Sequence, residues 1–181
     1  KKVGIALLDS NNLLAARHMK SYQQGIFEAV EYLSNCNYKL VYLCQSLDDL
    51  SLYKELSQKY GGTIRRISYT ESKRGFDFYN DLDLCITSRF HGLIFSVIAG
   101  TPVISVGTNG SKTDRLISNK INSLSHAHIP LKELNLPNLK VLIDVFEEDP
   151  SRLCASRVEV SRCRSEALLT VQHIVDNFNY V

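Results

Sequence analysis

A chain of 181 residues with 21 Lys and Arg against 19 Asp and Glu, hence a net charge of +2, is long enough to bury a substantial core as one domain without disulfides or metals. Its cations are scattered rather than striped, which leaves no electrostatic footprint for nucleic acid or a membrane surface, and no apolar run reaches the ~18 residues of a membrane-spanning helix. Cys36, Cys44, Cys85, Cys154 and Cys163 are odd in number and contain no Cys-x-x-Cys pair, so they read as buried free thiols in a reducing cytoplasm.

In chain order, Val3 to Leu8 reads as a strand, with Asp9-Ser10-Asn11-Asn12 as a polar loop at its carboxyl end. Tyr22 to Leu33 sets Ile26, Phe27, Val30 and Leu33 at helical spacing, with Gly25 a mild weakness. Tyr38 to Cys44 is the second strand. Asp48 or Ser46 caps a helix running to about Tyr60 and closed by Gly61-Gly62. Thr63 to Ser68, more polar, is a third strand expected near the sheet edge, and Glu71 to Asn80 a short helix. Leu82 to Thr87 is an apolar run suited to a strand buried on both faces. Ser88 is the expected N-cap of a helix from Arg89 to Ala99 that is apolar on nearly every side, and so should pack deep against the sheet. Gly100 ends that helix, and Val103 to Val106 is the next strand.

The glycine-rich turn Gly107-Thr108-Asn109-Gly110-Ser111-Lys112 leads to a short helix, Asp114 to Ser118. Gly-Ser-Lys-Thr lacks the first glycine and the spacing of a nucleotide-binding P-loop, which excludes that reading. Lys112 either reaches a ligand bound at this edge or stays solvated. Ser123 to Leu131 holds a last short strand, where alternation puts His126 and His128 on one face; no third ligand stands at a zinc-like distance, so no metal is expected. Leu134 to Glu148 is a loop and a short helix. Ser151 to Phe178 reads as a long helix with a stripe of Leu153, Val160, Leu168, Leu169, Val171, Ile174, Val175 and Phe178, and with Arg157, Glu159, Arg162, Arg164 and Glu166 on its solvent side.

Alternating strands and helices with short connections imply right-handed βαβ units and a doubly wound parallel sheet: one α/β, Rossmann-like domain over 1–181, with 151–178 as a C-terminal helix. A strand order of 3-2-1-4-5 puts the topological switch between the strands at Val3 and Leu82, where ligands of such sheets bind. The Asp9-Ser10-Asn11 loop and the Arg89 turn then face each other. Arg89 and His91, in the first turn of a helix whose free N–H groups favour anions, make a pocket for a phosphate or carboxylate with a proton carrier beside it. The alternative is that Arg89 pairs with an acid such as Asp83 or Asp114 and His91 caps a carbonyl.

The run from Asp81 to Val106, DLDLCITSRFHGLIFSVIAGTPVISV, with Lys112 beyond it, resembles the C-terminal signature of polysaccharide pyruvyl transferases. The resemblance implies one half of a GT-B-type two-domain transferase, with an N-terminal domain of the same protein missing from this chain and turnover by the chain alone weak or absent. It implies a pyruvyl ketal transferred from phosphoenolpyruvate, a donor substrate with no further cofactor, to a sugar acceptor. Arg89 and His91 match the family triplet at the donor site, and Ser88, Phe90, Asp9, Ser10, Asn11, Arg17 and Lys112 complete the expected substrate-binding set. Many members carry an arginine at the end of the first strand, where this chain has Leu8-Asp9; Arg17 is the residue that could fill in. Two rivals are the donor-binding half of a nucleotide-sugar glycosyltransferase, with Asp114 as the nearest acid for a ribose, and a non-catalytic binding module. Acceptor sugar, linkage and oligomeric state leave no signature in these residues.

Overall fold

The computed structural model describes residues 1–7, 16–45, 47, 49–61, 64–67, 77–107 and 110–178, the side chains of 16–21, 77 and 170–178 excepted. Its strands are β1 (Lys2–Ala6), β2 (Lys39–Leu43), β3 (Ile64–Ile67), β4 (Leu84–Thr87), β5 (Val103–Gly107) and β6 (His128–Pro130). Its helices are α1 (Ala16–Asn35), α2 (Asp49–Tyr60), α3 (Asp77–Asn80), α4 (Phe90–Ala99), α5 (Lys112–Lys120), α6 (Leu136–Glu148) and α7 (Arg157–Phe178). All the strands pair parallel, in the order β3-β2-β1-β4-β5-β6. The expected order of the first five strands is therefore the observed one, with β6 added beyond β5.

Burial follows that order. β4 and β5 are buried at every residue and β1 and β2 at all but the first, as central parallel strands covered on both faces must be. In β3, Ile64 and Ile67 point inward while Arg65 and Arg66 stay exposed, which suits a charged edge strand. The core is one cluster in which Ile26, Val30 and Leu33 of α1, Leu52 and Leu56 of α2, and Leu139, Ile143 and Phe146 of α6 pack with the sheet. Among the described residues no helix is long and apolar enough to cross a membrane.

Several boundaries differ from expectation for local reasons. β4 starts at Leu84 because the Leu82 N–H closes the α3 turn on the Tyr79 carbonyl at 3.1 Å. α5 is longer than Asp114 to Ser118: Ser111 is its N-cap and accepts the Asp114 N–H at 3.1 Å. α4 starts at Phe90, not Arg89, with Arg89 rather than Ser88 at the N-cap position. The Ser88 hydroxyl is instead buried against Tyr22 Oη at 3.0 Å, and Thr87 Oγ1 accepts the Arg89 N–H at 3.0 Å. Gly100 closes α4 in the left-handed conformation (φ 74°), its N–H and that of Thr101 reaching back to the Val97 and Ser96 carbonyls.

The histidine pair does not share a strand face. Residues Asn122–Ala127 coil into a 3-10 turn, so only His128 lies in β6. His126 Nε2 contacts the Arg152 carbonyl at 2.8 Å, while His128 Nδ1 contacts Ser105 Oγ at 3.1 Å. Cys44 and Cys85 are buried free thiols as expected, but Cys36 is exposed and Cys154 and Cys163 are half-buried.

α4 and α7 depart furthest from expectation. Only Gly92, Leu93 and Ser96 of α4 are fully buried. Ile94, Val97 and Ile98 are half-buried and, with Leu116, Ile121, Val160, Cys163 and Ala167, line an apolar groove of about 240 Å³. The expected inward stripe holds only in part: Leu153, before α7, is buried and Val160 is half-buried in that groove, but Leu168 and Leu169 are each 71 % exposed, and the side chains from 171 on lie outside the described residues. The residues expected to be merely solvated also dock the helix. Arg162 donates to the Lys120 carbonyl at 2.5 Å, Arg164 to the Ile98 carbonyl at 3.3 Å, and Glu166 pairs with Lys120 at 2.6 Å. Glu159 accepts the Ser123 N–H at 3.0 Å. α7 is thus tied by polar contacts to the carboxyl ends of α4 and α5, where exposed carbonyls favour cations.

Candidate active site

The site is built where β1 and β4 lie side by side and their chains diverge. Ala6 pairs with Thr87, and the Ser88 N–H donates to the Ala6 carbonyl at 3.0 Å. Thr87 Oγ1 lies 3.0 Å from the Ala6 carbonyl and 3.1 Å from that of Arg89. One buried hydroxyl therefore joins the end of β1 to the entry of α4. Tyr42 of β2 supports the same edge from below, its hydroxyl donating to the Leu7 carbonyl at 3.0 Å.

Gly92 lets α4 come this close. A Cβ there would lie 2.4 Å from Thr87 Oγ1, nearer than a real methyl group stands, and 3.1 Å from Gln45 Nε2, a tight contact. Glycine inside a helix costs ~1 kcal/mol relative to alanine, and here the close approach of helix to strands explains why it is kept. The same Gln45 donates its side-chain amide to Tyr79 Oη at 2.7 Å, and the Tyr79 ring lies 5.5 Å from that of Phe95 on α4.

Arg89 stands before α4 with extended backbone (φ −86°, ψ 130°). Its guanidinium Nη2 is paired with Asp49 Oδ1; the Arg89 side chain is 18 % exposed and that of Asp49 0 %. Asp49 Oδ2 accepts the Gln45 N–H at 2.8 Å. Arg89 thus pairs with an acid, but with neither of the two that the sequence suggested. Asp83 accepts the Lys2 N–H at 2.6 Å, at the other end of the sheet. Asp114 serves the α5 turn, where it accepts the Gly110 N–H at 2.6 Å.

His91 is exposed one residue into α4. Its ring stacks on Phe95 at 6.1 Å and meets the half-buried Phe90 edge-on at 5.7 Å; among the described residues it bonds to no carbonyl. Lys112 is exposed as the first residue of α5. Behind it, His128 Nε2 lies 3.9 Å from Asp114 Oδ1, and burial pushes the His128 imidazole below its ordinary value while the Asp114 carboxylate opposes the shift. Burial raises the Cys44 thiol and pushes that of Cys85 up to about 12, so neither is a nucleophile near neutral pH. Asp9, Ser10, Asn11 and the side chain of Arg17 lie outside the described residues; Arg17 itself belongs to α1. No group of three His, Cys, Asp or Glu side chains among the described residues is placed to hold a metal ion.

The sequence reading missed Asp49, Gln45, Tyr79 and Gly92. Only Gly92 carried a local signal, as a glycine one residue after His91 in an otherwise apolar helix.

The doubly wound parallel sheet is that of one half of a GT-B-type fold, and here a cation and a histidine stand at the helix start beside its switch point. Two solved structures share the fold. A sucrose-phosphate synthase from Thermosynechococcus elongatus matches over 99 % of this chain and 46 % of its own, at 16 % identity and a TM-score of 0.59. A protein from Listeria monocytogenes described as a UDP-N-acetylglucosamine 2-epimerase matches over 96 % of this chain and 46 % of its own, at 15 % identity and a TM-score of 0.55. This chain thus spans less than half the length of either. No curated protein matches it. The family profile of polysaccharide pyruvyl transferases matches residues 5–110, from β1 through β5, and the chain belongs to that family.

Proposed function

We propose that this domain binds phosphoenolpyruvate at the amino end of α4 and takes part in transferring its pyruvyl group, as a ketal, to a sugar of a cell-surface polysaccharide or its precursor. The observation that carries the reading is the Arg89-Phe90-His91 turn at the β1–β4 switch point, inside the segment matched by the family. Arg89 and the first N–H groups of α4 would meet the donor's anionic groups. His91, exposed beside them, would act as imidazolium, protonating the methylene carbon or assisting the departure of phosphate. One sugar hydroxyl adds to the central carbon, and a second displaces phosphate from it. Two C–O bonds form and the bond to the phosphate oxygen breaks. One hydroxyl proton is balanced by the new methyl group, and the other leaves with phosphate. General acid help of this kind is worth ~10²–10⁴-fold.

We read residues 1–181 as the donor half of a longer enzyme, a reading supported by the 46 % of each structural neighbour that the chain spans. On this reading the chain alone turns over weakly or not at all, because the wall that excludes water and holds the acceptor is elsewhere. The exposed free thiol of Cys36 favours a reducing, cytoplasmic setting. The nucleotide-sugar reading is less supported, because its acid, Asp114, is already bound to the turn of its own helix.

Calorimetric titration with phosphoenolpyruvate, and in parallel with nucleotide sugars, tests the proposal on the wild type and on Arg89→Ala. Phosphoenolpyruvate is expected to bind the wild type and to lose at least ~10-fold in affinity in the variant, as loss of a charge-assisted contact requires. Binding of a nucleotide sugar instead, or of neither ligand, contradicts it.

A further inference from the structure

Arg89 is held from behind by a residue far away in sequence. Asp49 has no exposed side-chain surface, yet it carries a carboxylate, which needs partners if it is to stay charged inside a protein. Its partners include Arg89 Nη2 on one oxygen and the Gln45 N–H, at 2.8 Å, on the other. It is also the first residue of α2, where the helix dipole favours negative charge. Gln45 in turn is anchored through Tyr79 Oη at 2.7 Å and lies against Gly92 of α4. The ends of β2 and β4 and the starts of α2 and α4 are locked together around this one carboxylate.

Being fully buried, Asp49 cannot itself touch a ligand in the crevice, whereas Arg89 keeps part of its surface open. An unrestrained arginine loses much rotamer freedom when it grips an anion. One that is already held has lost that freedom before the ligand arrives, which leaves more of the contact energy for binding. We propose that Asp49 is a positioning residue of the donor site, holding the Arg89 guanidinium in the orientation from which it meets the anionic donor at the amino end of α4. The proposal rests on the phosphoenolpyruvate reading above and deepens it.

The test pairs phosphoenolpyruvate titration with NMR of the Arg89 guanidinium, on the wild type and on Asp49→Asn. The asparagine has nearly the same shape and can still accept the Gln45 N–H, but it offers arginine no charge. In the wild type the Arg89 Nη signals are expected to show restricted rotation without donor. In Asp49→Asn they should average, and the dissociation constant for phosphoenolpyruvate should rise about tenfold. Either change without the other contradicts the proposal, and so does a variant that changes neither signal, even if its melting temperature falls. Should Asp49→Asn fail to fold, the wild-type spectrum decides, since a freely averaging Arg89 overturns the proposal. A wild type that binds no phosphoenolpyruvate contradicts the donor reading instead; the Arg89 signals then judge the hold by Asp49 separately, restrained in the wild type and released in the variant if it is right, averaged in both if it is wrong.

Discussion

The turns after β4 and β5 stand side by side at one edge of the sheet, and both lead into a helix through a polar residue, yet they are built on different principles. The β4 turn is stabilised from outside itself: Thr87 ties it to β1, Gly92 lets α4 close on Thr87 and on Gln45 beyond β2, and Arg89 is held by Asp49 of α2. Among its described residues the β5 turn is capped by its own side chains, Ser111 capping Asp114 and Asp114 reaching back to Gly110, with His128 of β6 3.9 Å from Asp114 as its partner from outside. A turn braced by its neighbours can hold a charged side chain at a set angle to a ligand. The self-capped turn offers an exposed lysine, Lys112, at the first position of α5. On the proposed function, the difference favours donor recognition after β4, with Lys112 as an exposed auxiliary charge.

The largest effect on that comparison should come from Gly92→Ala. The added methyl group would stand 2.4 Å from Thr87 Oγ1, so the helix must move off the strand. Overpacking of this kind costs about 3 kcal/mol, more than the ~1 kcal/mol that alanine returns to a helix. Chemical denaturation should therefore show a net loss of stability together with weaker phosphoenolpyruvate binding. A variant as stable as the wild type would mean that the α4 turn is not braced as described. Ser111→Ala should cost less, about 1 kcal/mol for a lost N-cap, and should leave donor affinity less affected than Gly92→Ala does. The reverse ranking would shift the centre of the site to β5.

The smallest effect concerns pH. Burial holds the folded His128 imidazole below its ordinary value, so the unfolded chain takes up this proton first as the solution is acidified. The contribution to stability is complete above the ordinary histidine value of about 6.5 and is lost as pH falls toward the folded value. His128→Asn should have a shallower loss of stability between neutral and mildly acidic pH. Equal slopes for the two proteins would show that His128 titrates alike folded and unfolded.

Much of the scaffold was legible because it rests on local pattern. Apolar runs, helical spacing and Gly-Pro punctuation are properties of neighbouring residues, and parallel βαβ units leave few topologies to choose from. β3 was recognisable as an edge strand by its paired arginines. The candidate site was legible only in part, since Arg89 and His91 are marked by their position whereas the grip of Asp49 on Arg89 joins two separate βα turns. Sequence spacing does not encode such a pair. The N-cap expectation was displaced by one residue for a related reason: the Thr87 hydroxyl serves the Arg89 N–H, and Ser88 is turned inward by a tyrosine from α1. In α7 the periodicity correctly gave a helix, but periodicity does not say which face meets a partner; Leu168 and Leu169 are open while Val160, Cys163 and Ala167 face α4, with arginines and Glu159 adding polar contacts.

The most direct measurement is a crystal structure of the chain with phosphoenolpyruvate bound. The account predicts the donor at the amino end of α4, with an anionic oxygen within about 3 Å of the Arg89 guanidinium, the Asp49 pair intact and His91 beside the methylene carbon. A donor held by Lys112 and the start of α5, with Arg89 paired to Asp49 and out of contact with the donor, would contradict it and make the Arg89–Asp49 pair a structural brace.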